Sequence, residues 1–212
     1  MSVVHICNRG GSQYLGLERV NNLNEGTPQS EQYQLHYDDL RRALLERHWW
    51  TFAKCVQPLA RVVNDQPGAW GYKYQRPSNA LSVHWINDPA VAIAAMKRGD
   101  NPDSERQDYG PFIFSNVPAA CIQFTCDLVD TDRMPQYFRD ALSAMVASAV
   151  AVALTESVSR AKFAAEQAEI LIEQAVAKDE EMMPPITMPQ AHYIAARIGD
   201  NAAFGDRGVW GR

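Results

Sequence analysis

Apolar positions recur at helical intervals near both ends of the chain and in short strand-like runs in the middle. Val4, Ile6, Cys7, Tyr14, Leu15 and Leu17 predict a short helix ending near Gly16, although Gly10 and Gly11 weaken it by up to ~1 kcal/mol each relative to alanine. Asn21 to Ser30 is rich in Asn, Gly and Pro and predicts a loop. From Glu31 to Arg47 the apolar residues Tyr33, Tyr37, Leu40, Leu44 and Leu45 predict a second helix, with Arg41, Arg42, Glu46 and Arg47 mostly on a solvated face.

The pattern changes at Trp49. Residues 51–63, 70–74, 81–86, 111–117 and 120–128 are β-like, and Asp65-Gln66-Pro67-Gly68 and Pro77-Ser78-Asn79 supply turn chemistry. Because these runs alternate poorly, the expectation is a small, irregular antiparallel sheet. The polar stretch 87–109 predicts an exposed loop with one short helical turn at 89–96. Met134 to Glu181 holds no glycine, and its single proline, Pro135, stands where a first helical turn tolerates it. Between Asp140 and Glu156 it carries no charge, which predicts burial between several elements or between subunits. Caps at 155–159 divide it into an antiparallel helix pair, with one long helix as the alternative.

The expected fold is therefore mainly α: an antiparallel helical bundle (1–48 and 132–183) with an inserted small irregular antiparallel β region (49–131). Residues 184–212 form an extended C-terminal arm after the first 183. Pro184, Pro185 and Pro189 and four glycines leave Tyr193, Ile194, Phe204 and Trp210 isolated, as apolar residues in need of a surface. That surface is either a neighbouring protein or the chain's own domain.

Net charge of −5 and a pI near 5.5 argue against a basic nucleic-acid-binding surface over the whole protein. The N-terminus lacks the regions of a secretory leader, and no uncharged run reaches the ~20 residues of a membrane helix, so a soluble protein made in a cytoplasm is expected. Cys7, Cys55, Cys121 and Cys126 form no C-x-x-C pair and read as free thiols. No phosphate loop, dinucleotide fingerprint, nucleophile elbow or H-E-x-x-H occurs, and Asn8-Arg9-Gly10-Gly11-Ser12 lacks the lysine and strand a phosphate loop needs. The scattered histidines show no metal-ligand spacing, with His48 beside Trp49 and Trp50 read as structural. Asp127, Asp130 and Asp132 suit either a helix-capping loop or a divalent cation, the former being favoured. No catalytic, cofactor or metal residue is assigned. Trp49, Phe52, Trp70, Tyr72 and Tyr74 are read as a structural aromatic anchor in preference to a base-stacking platform, because no basic stripe interleaves them.

Taken in order, ICNRGGSQYLGLERVNNL, YDDLRRALLERHWWTFAK, WGYKYQRPSNAL, PFIFSN, FTCDL and MPQYFRDALSAMVASAVAVALT carry a family pattern. It resembles the phage tail tubular protein A family, the head-to-tail adaptors of short-tailed bacteriophages. The resemblance spans about residues 3–180 and, less clearly, the Tyr193–Arg197 region. Gly10 and Gly11 depart from it, standing where an alanine–leucine helix is expected. The resemblance implies a structural virion protein with no catalysis and no cofactor. It implies a ring, usually dodecameric, under the portal protein, receiving the tail nozzle protein and continuing the channel through which viral DNA passes. It also implies portal contact by the C-terminal arm, here Tyr193, Ile194, Arg197, Phe204 and Trp210. Two other classes stay open: a small cytosolic enzyme, and a DNA-binding regulator using Arg41, Arg42 and Arg47.

Overall fold

A computed structural model describes residues 2–182; the arm residues Tyr193, Ile194, Arg197, Phe204 and Trp210 lie outside them. Five helices and seven strands are present among the described residues: α1 (Val3–Gly10), α2 (Pro28–Arg47), β1 (Lys54–Pro58), β2 (Arg61–Val62), β3 (Tyr72–Gln75), β4 (Ala80–Asn87), α3 (Pro89–Arg98), β5 (Arg106–Tyr109), β6 (Phe112–Ser115), β7 (Cys121–Cys126), α4 (Gln136–Thr155) and α5 (Val158–Glu181). All strand pairings are antiparallel. One sheet has the order β1-β7-β4 and the other β2-β3-β6-β5.

This corrects the expected mainly α bundle. The fold is mixed, with two antiparallel sheets of three and four strands in place of one small irregular insertion. The sequence pattern hides the sheets for two physical reasons. Strand β4 shifts register against β7 between Ala80 and Ser82 and again between Val83 and Trp85, which breaks the two-residue alternation. Strand β5, Arg-Gln-Asp-Tyr, is an edge strand with little burial, so no apolar pattern marks it. The stretch expected to be a loop with one helical turn holds a ten-residue helix, α3. Asp88 caps its start through the amides of Ala90 and Val91, and Gly99 closes it in the left-handed conformation.

Helix α4 is the centre of the helical layer. Its buried residues, from Phe138 through Leu142 and Val146 to Ala151, face nearly all round, because α5 packs along it and α1 and α2 cover its other sides. It is also the one described helix long and apolar enough to cross a membrane. In this fold its apolar surface is met by the chain's own helices. Helices α4 and α5 run antiparallel, joined through Glu156, whose positive φ of 52° reverses the chain, and Ser157, which caps α5 through the Arg160 amide.

Gly10 and Gly11 have a packing reason. A Cβ on Gly10 would lie 2.1 Å from the Ser143 carbonyl oxygen of α4, and one on Gly11 would lie 1.9 Å from the Tyr33 hydroxyl of α2. Side chains there would push α1 off the core. After Gly10 the chain makes one wider π-turn, Gly11–Leu15, and stops at Gly16 with φ of 70°.

Arg41 does not lie on a solvated face. It is 1% exposed, bonds the Asp127 carboxylate, and donates to the Leu128 carbonyl at 2.8 Å. Arg42 reaches the other Asp127 oxygen at 3.0 Å. The acidic loop thus clamps α2 to the end of β7, and Asp130 caps the short turn Thr131–Arg133. Among the described residues no group of ligands could hold a metal. Replacing Arg41 with Met should cost about 3 kcal/mol, because it strands a mostly buried carboxylate with half its partners. Urea unfolding is the check. Adding Asp127→Asn should recover part of the loss, whereas strict additivity would mean that the two groups do not interact.

Candidate functional site

The described residues that bring polar chemistry together lie where the helical layer meets β1. Helix α2 ends at Arg47, and the extended residues His48–Trp50 lead into a short helical turn, Thr51–Ala53, and then β1. Trp50 is fully buried there. Its indole nitrogen donates to the Leu44 carbonyl at 2.8 Å, and Phe52, Tyr137 and Phe138 surround its ring. Beside it sits Asp179, from the last turn of α5, with no solvent exposure. Its carboxylate accepts from the Thr51 amide at 2.9 Å, the Thr51 hydroxyl at 2.7 Å and the Tyr137 hydroxyl at 2.8 Å. His48 Nε2 stands 3.4 Å away, edge-on to Trp50. Burial, reinforced by the Asp179 carboxylate, pushes the Tyr137 phenol far above its ordinary range.

A histidine, a carboxylate, a tyrosine and a threonine within reach of each other resemble a catalytic constellation. Accessibility argues otherwise. The carboxylate is sealed, and its lone pairs are taken by in-chain donors. The arrangement performs one task well: it holds a charge in a dry place by giving it a full set of donors.

The residues expected to form one aromatic anchor divide into two groups. Phe52 joins Trp50 and Phe138 against the helices. Tyr72 and Tyr74 stand in the four-stranded sheet, where Tyr74 is buried and bonds the Val117 carbonyl, and Arg61 lies 4.4 Å over the Tyr72 ring. Trp70 donates to Gln107 at 3.0 Å. Trp49 is 55% exposed, so its neighbour Trp50 takes the anchoring place. Trp49 instead meets His84 edge-on, with ring centroids 4.2 Å apart.

His84 is buried on β4. Its Nε2 pairs with the Thr125 hydroxyl at 2.8 Å, and its Nδ1 has no partner. Burial first, then the charges of Lys54 and Arg106, lower its pKa to about 4. Other candidate groups are also set aside by their surroundings. Burial raises the Cys7 thiol to about 12 and the Cys126 thiol to about 11, so both stay protonated and non-nucleophilic. The three arginines considered for DNA contact are all committed within the chain: Arg41 and Arg42 to Asp127, and Arg47 to Glu169 at 2.8 Å.

Apolar side chains also remain outward on α5. Helix α5 buries Ala164, Ala168, Ile172 and Ala175 against the core, yet carries Phe163 (51% exposed) and Ile170 (45% exposed) on another face. These are seven residues apart and share one side of the cylinder. Val152 and Val158 extend exposed apolar surface to the α4–α5 corner.

No protein-family model matches this sequence, and no curated relative matches it.

The neutral state of His84 makes stability depend on pH. Its folded pKa lies below the unfolded value of about 6.5, so the unfolded chain binds the extra proton between about 6.5 and 4. Acidification through that window should remove as much as about 3 kcal/mol. The Asp127 clamp acts in a separate window. Burial alone would raise its pKa, but the bonds from Arg41 and Arg42 prevail and hold it low, so that its contribution is lost only at more acidic pH. Urea titrations from pH 7 to 4.5 should show a steep fall for the native chain and a flatter one for His84→Gln. Parallel curves would contradict the assignment.

Proposed function

We propose that this chain is a structural virion protein: a head-to-tail adaptor that forms a ring between the portal and the tail nozzle and continues the DNA channel. The ordered motifs of residues 3–180 support this reading; the fold class does not enter into it. The observation that carries it furthest is the outward face of α5. Phe163 and Ile170 stay exposed on the helix whose inward face closes the core, and a second copy of the chain is the occupant the ring reading assigns to them. Glu166 and Glu173 flank the stripe and would set its register against a neighbour.

The commitment of the polar clusters supports the same reading. The Asp179 and Asp127 carboxylates fix elements to one another, which makes each copy a rigid block for stacking in a ring. In this account residues 184–212 supply the portal contact through Tyr193, Ile194, Arg197, Phe204 and Trp210, and no step of the function requires turnover. The acidic balance of the chain suits a channel wall that must let DNA slide past.

Two variants separate the surfaces. Phe163→Glu combined with Ile170→Glu should leave unfolding stability within about 1 kcal/mol, since both residues are exposed, and should abolish ring formation on portal assemblies in sedimentation and electron microscopy. Removing residues 184–212 should abolish portal association itself. Undiminished portal binding by the shortened chain would overturn the assignment of the arm.

A further inference from the structure

The chain carries a second feature that the adaptor reading does not use. A cleft of about 530 Å³ lies between the outer face of α1 and the segment that follows Leu17. One wall presents His5, Asn8, Arg9 and Ser12; the other presents Arg19 and Val20. The walls are fixed to each other. The Asn8 side-chain amide donates to the Val20 carbonyl at 2.8 Å, and its oxygen accepts from the Val20 amide at 2.9 Å. From behind, the close approach of Gly10 to the Ser143 carbonyl holds α1 at fixed depth.

The charge in this cleft runs against the charge of the protein. The chain has a net charge of −5, yet two arginines and a histidine line the cleft and no carboxylate does. Arg9 shares its guanidinium with Asp140 of α4, which offsets part of its charge. Arg19 has neither an ion pair nor a hydrogen bond among the described residues, unlike Arg41, Arg42 and Arg47. Two arginines lining one cleft, with a hydroxyl-bearing Ser12, supply the kinds of donor a tetrahedral oxyanion demands. Val20 adds an apolar surface, and the volume exceeds that of a bare anion, leaving room for an organic substituent.

We infer that the α1 cleft binds a phosphate group, held between Arg19 and Arg9 and contacted by Ser12 and His5. This differs from a phosphate loop. Gly10 and Gly11 turn inward to pack, and the anion meets side chains on the outer face instead of a cradle of backbone amides. The site does not rest on the adaptor reading. The phosphate has two possible sources, a small phosphorylated molecule or the backbone of a nucleic acid, and the test separates them.

The experiment is a titration of the isotope-labelled full chain at low ionic strength, followed by NMR, with inorganic phosphate, with adenosine monophosphate and with a short DNA duplex in turn. Saturable shifts are expected at the His5 ring, the Asn8 side-chain amide and the Ser12 amide. Arg19→Gln should weaken binding roughly tenfold, and Arg19→Lys should weaken it less, since it keeps the charge and loses the fork. Because Arg19 is exposed and makes no ion pair or hydrogen bond among the described residues, the thermal midpoint of both variants should stay that of the parent, which excludes misfolding as the cause. Tighter binding of the mononucleotide than of the duplex identifies a small phosphorylated ligand; the reverse identifies a nucleic-acid backbone. Shifts that never saturate with any of the three probes, or that Arg19→Gln leaves unchanged, would overturn the site.

Discussion

The fold turns on a single carboxylate. Asp179 lies at the end of α5, far along the chain from the residues it holds, and ties α5 to two other elements at once: the Thr51 turn that opens β1 and the Tyr137 hydroxyl at the start of α4. A buried charge is costly in isolation, and here it is stabilised by donors from two distant parts of the chain, Thr51 and Tyr137. The same condition makes the joint specific. If α5 slipped by one residue along α4, the carboxylate would lose its donors and the small-residue face of Ala164, Ala168 and Ala175 would leave its seat. Trp50 completes the joint by filling the space beside it and tying its own ring to the end of α2.

A second clamp repeats the principle at the other junction between layers. Arg41 and Arg42 of α2 meet Asp127 at the end of β7, so an ion-paired carboxylate fixes helix to sheet there, as the hydrogen-bonded Asp179 fixes α5 to the start of β1. Between these joints the core is a continuous apolar cluster, from Ile6 and Leu44 through Phe138 to Ile122 and Phe124. Apolar packing supplies the bulk of the stabilisation, and the two carboxylates determine which arrangement is stabilised. With its polar clusters committed inward, the molecule offers its surroundings an apolar face on α5 and a basic cleft beside α1. Both are suited to holding a partner or a ligand.

Much of this was visible in the residue pattern, and the exceptions share a cause. Helical periodicity located α1, α2, α4 and α5, and turn chemistry placed most of the strands. The buried charges were concealed by their company. Asp179 stands in Lys178-Asp179-Glu180-Glu181, which reads as a solvated helix end, yet it continues the inward series Ala164, Ala168, Ile172 and Ala175 by one more turn. Arg41 follows Tyr33 and Tyr37 at the same interval of four and so falls on the apolar stripe. In both, spacing was the usable signal and residue type obscured it. Trp49 and Trp50 are adjacent in an extended segment, where neighbours point to opposite sides, so composition alone could not say which one anchors. The polar edge strand β5 and the register shifts of β4 carry no alternation to read.

Hydrogen exchange at the Thr51 amide tests the central joint most directly. If Asp179 holds the layers together, this amide exchanges only when the whole molecule unfolds, with the same denaturant dependence as the amides of α4, and Asp179→Ala removes that protection. Exchange of the Thr51 amide in the native chain at the rate of an open loop, independent of denaturant, would contradict the account.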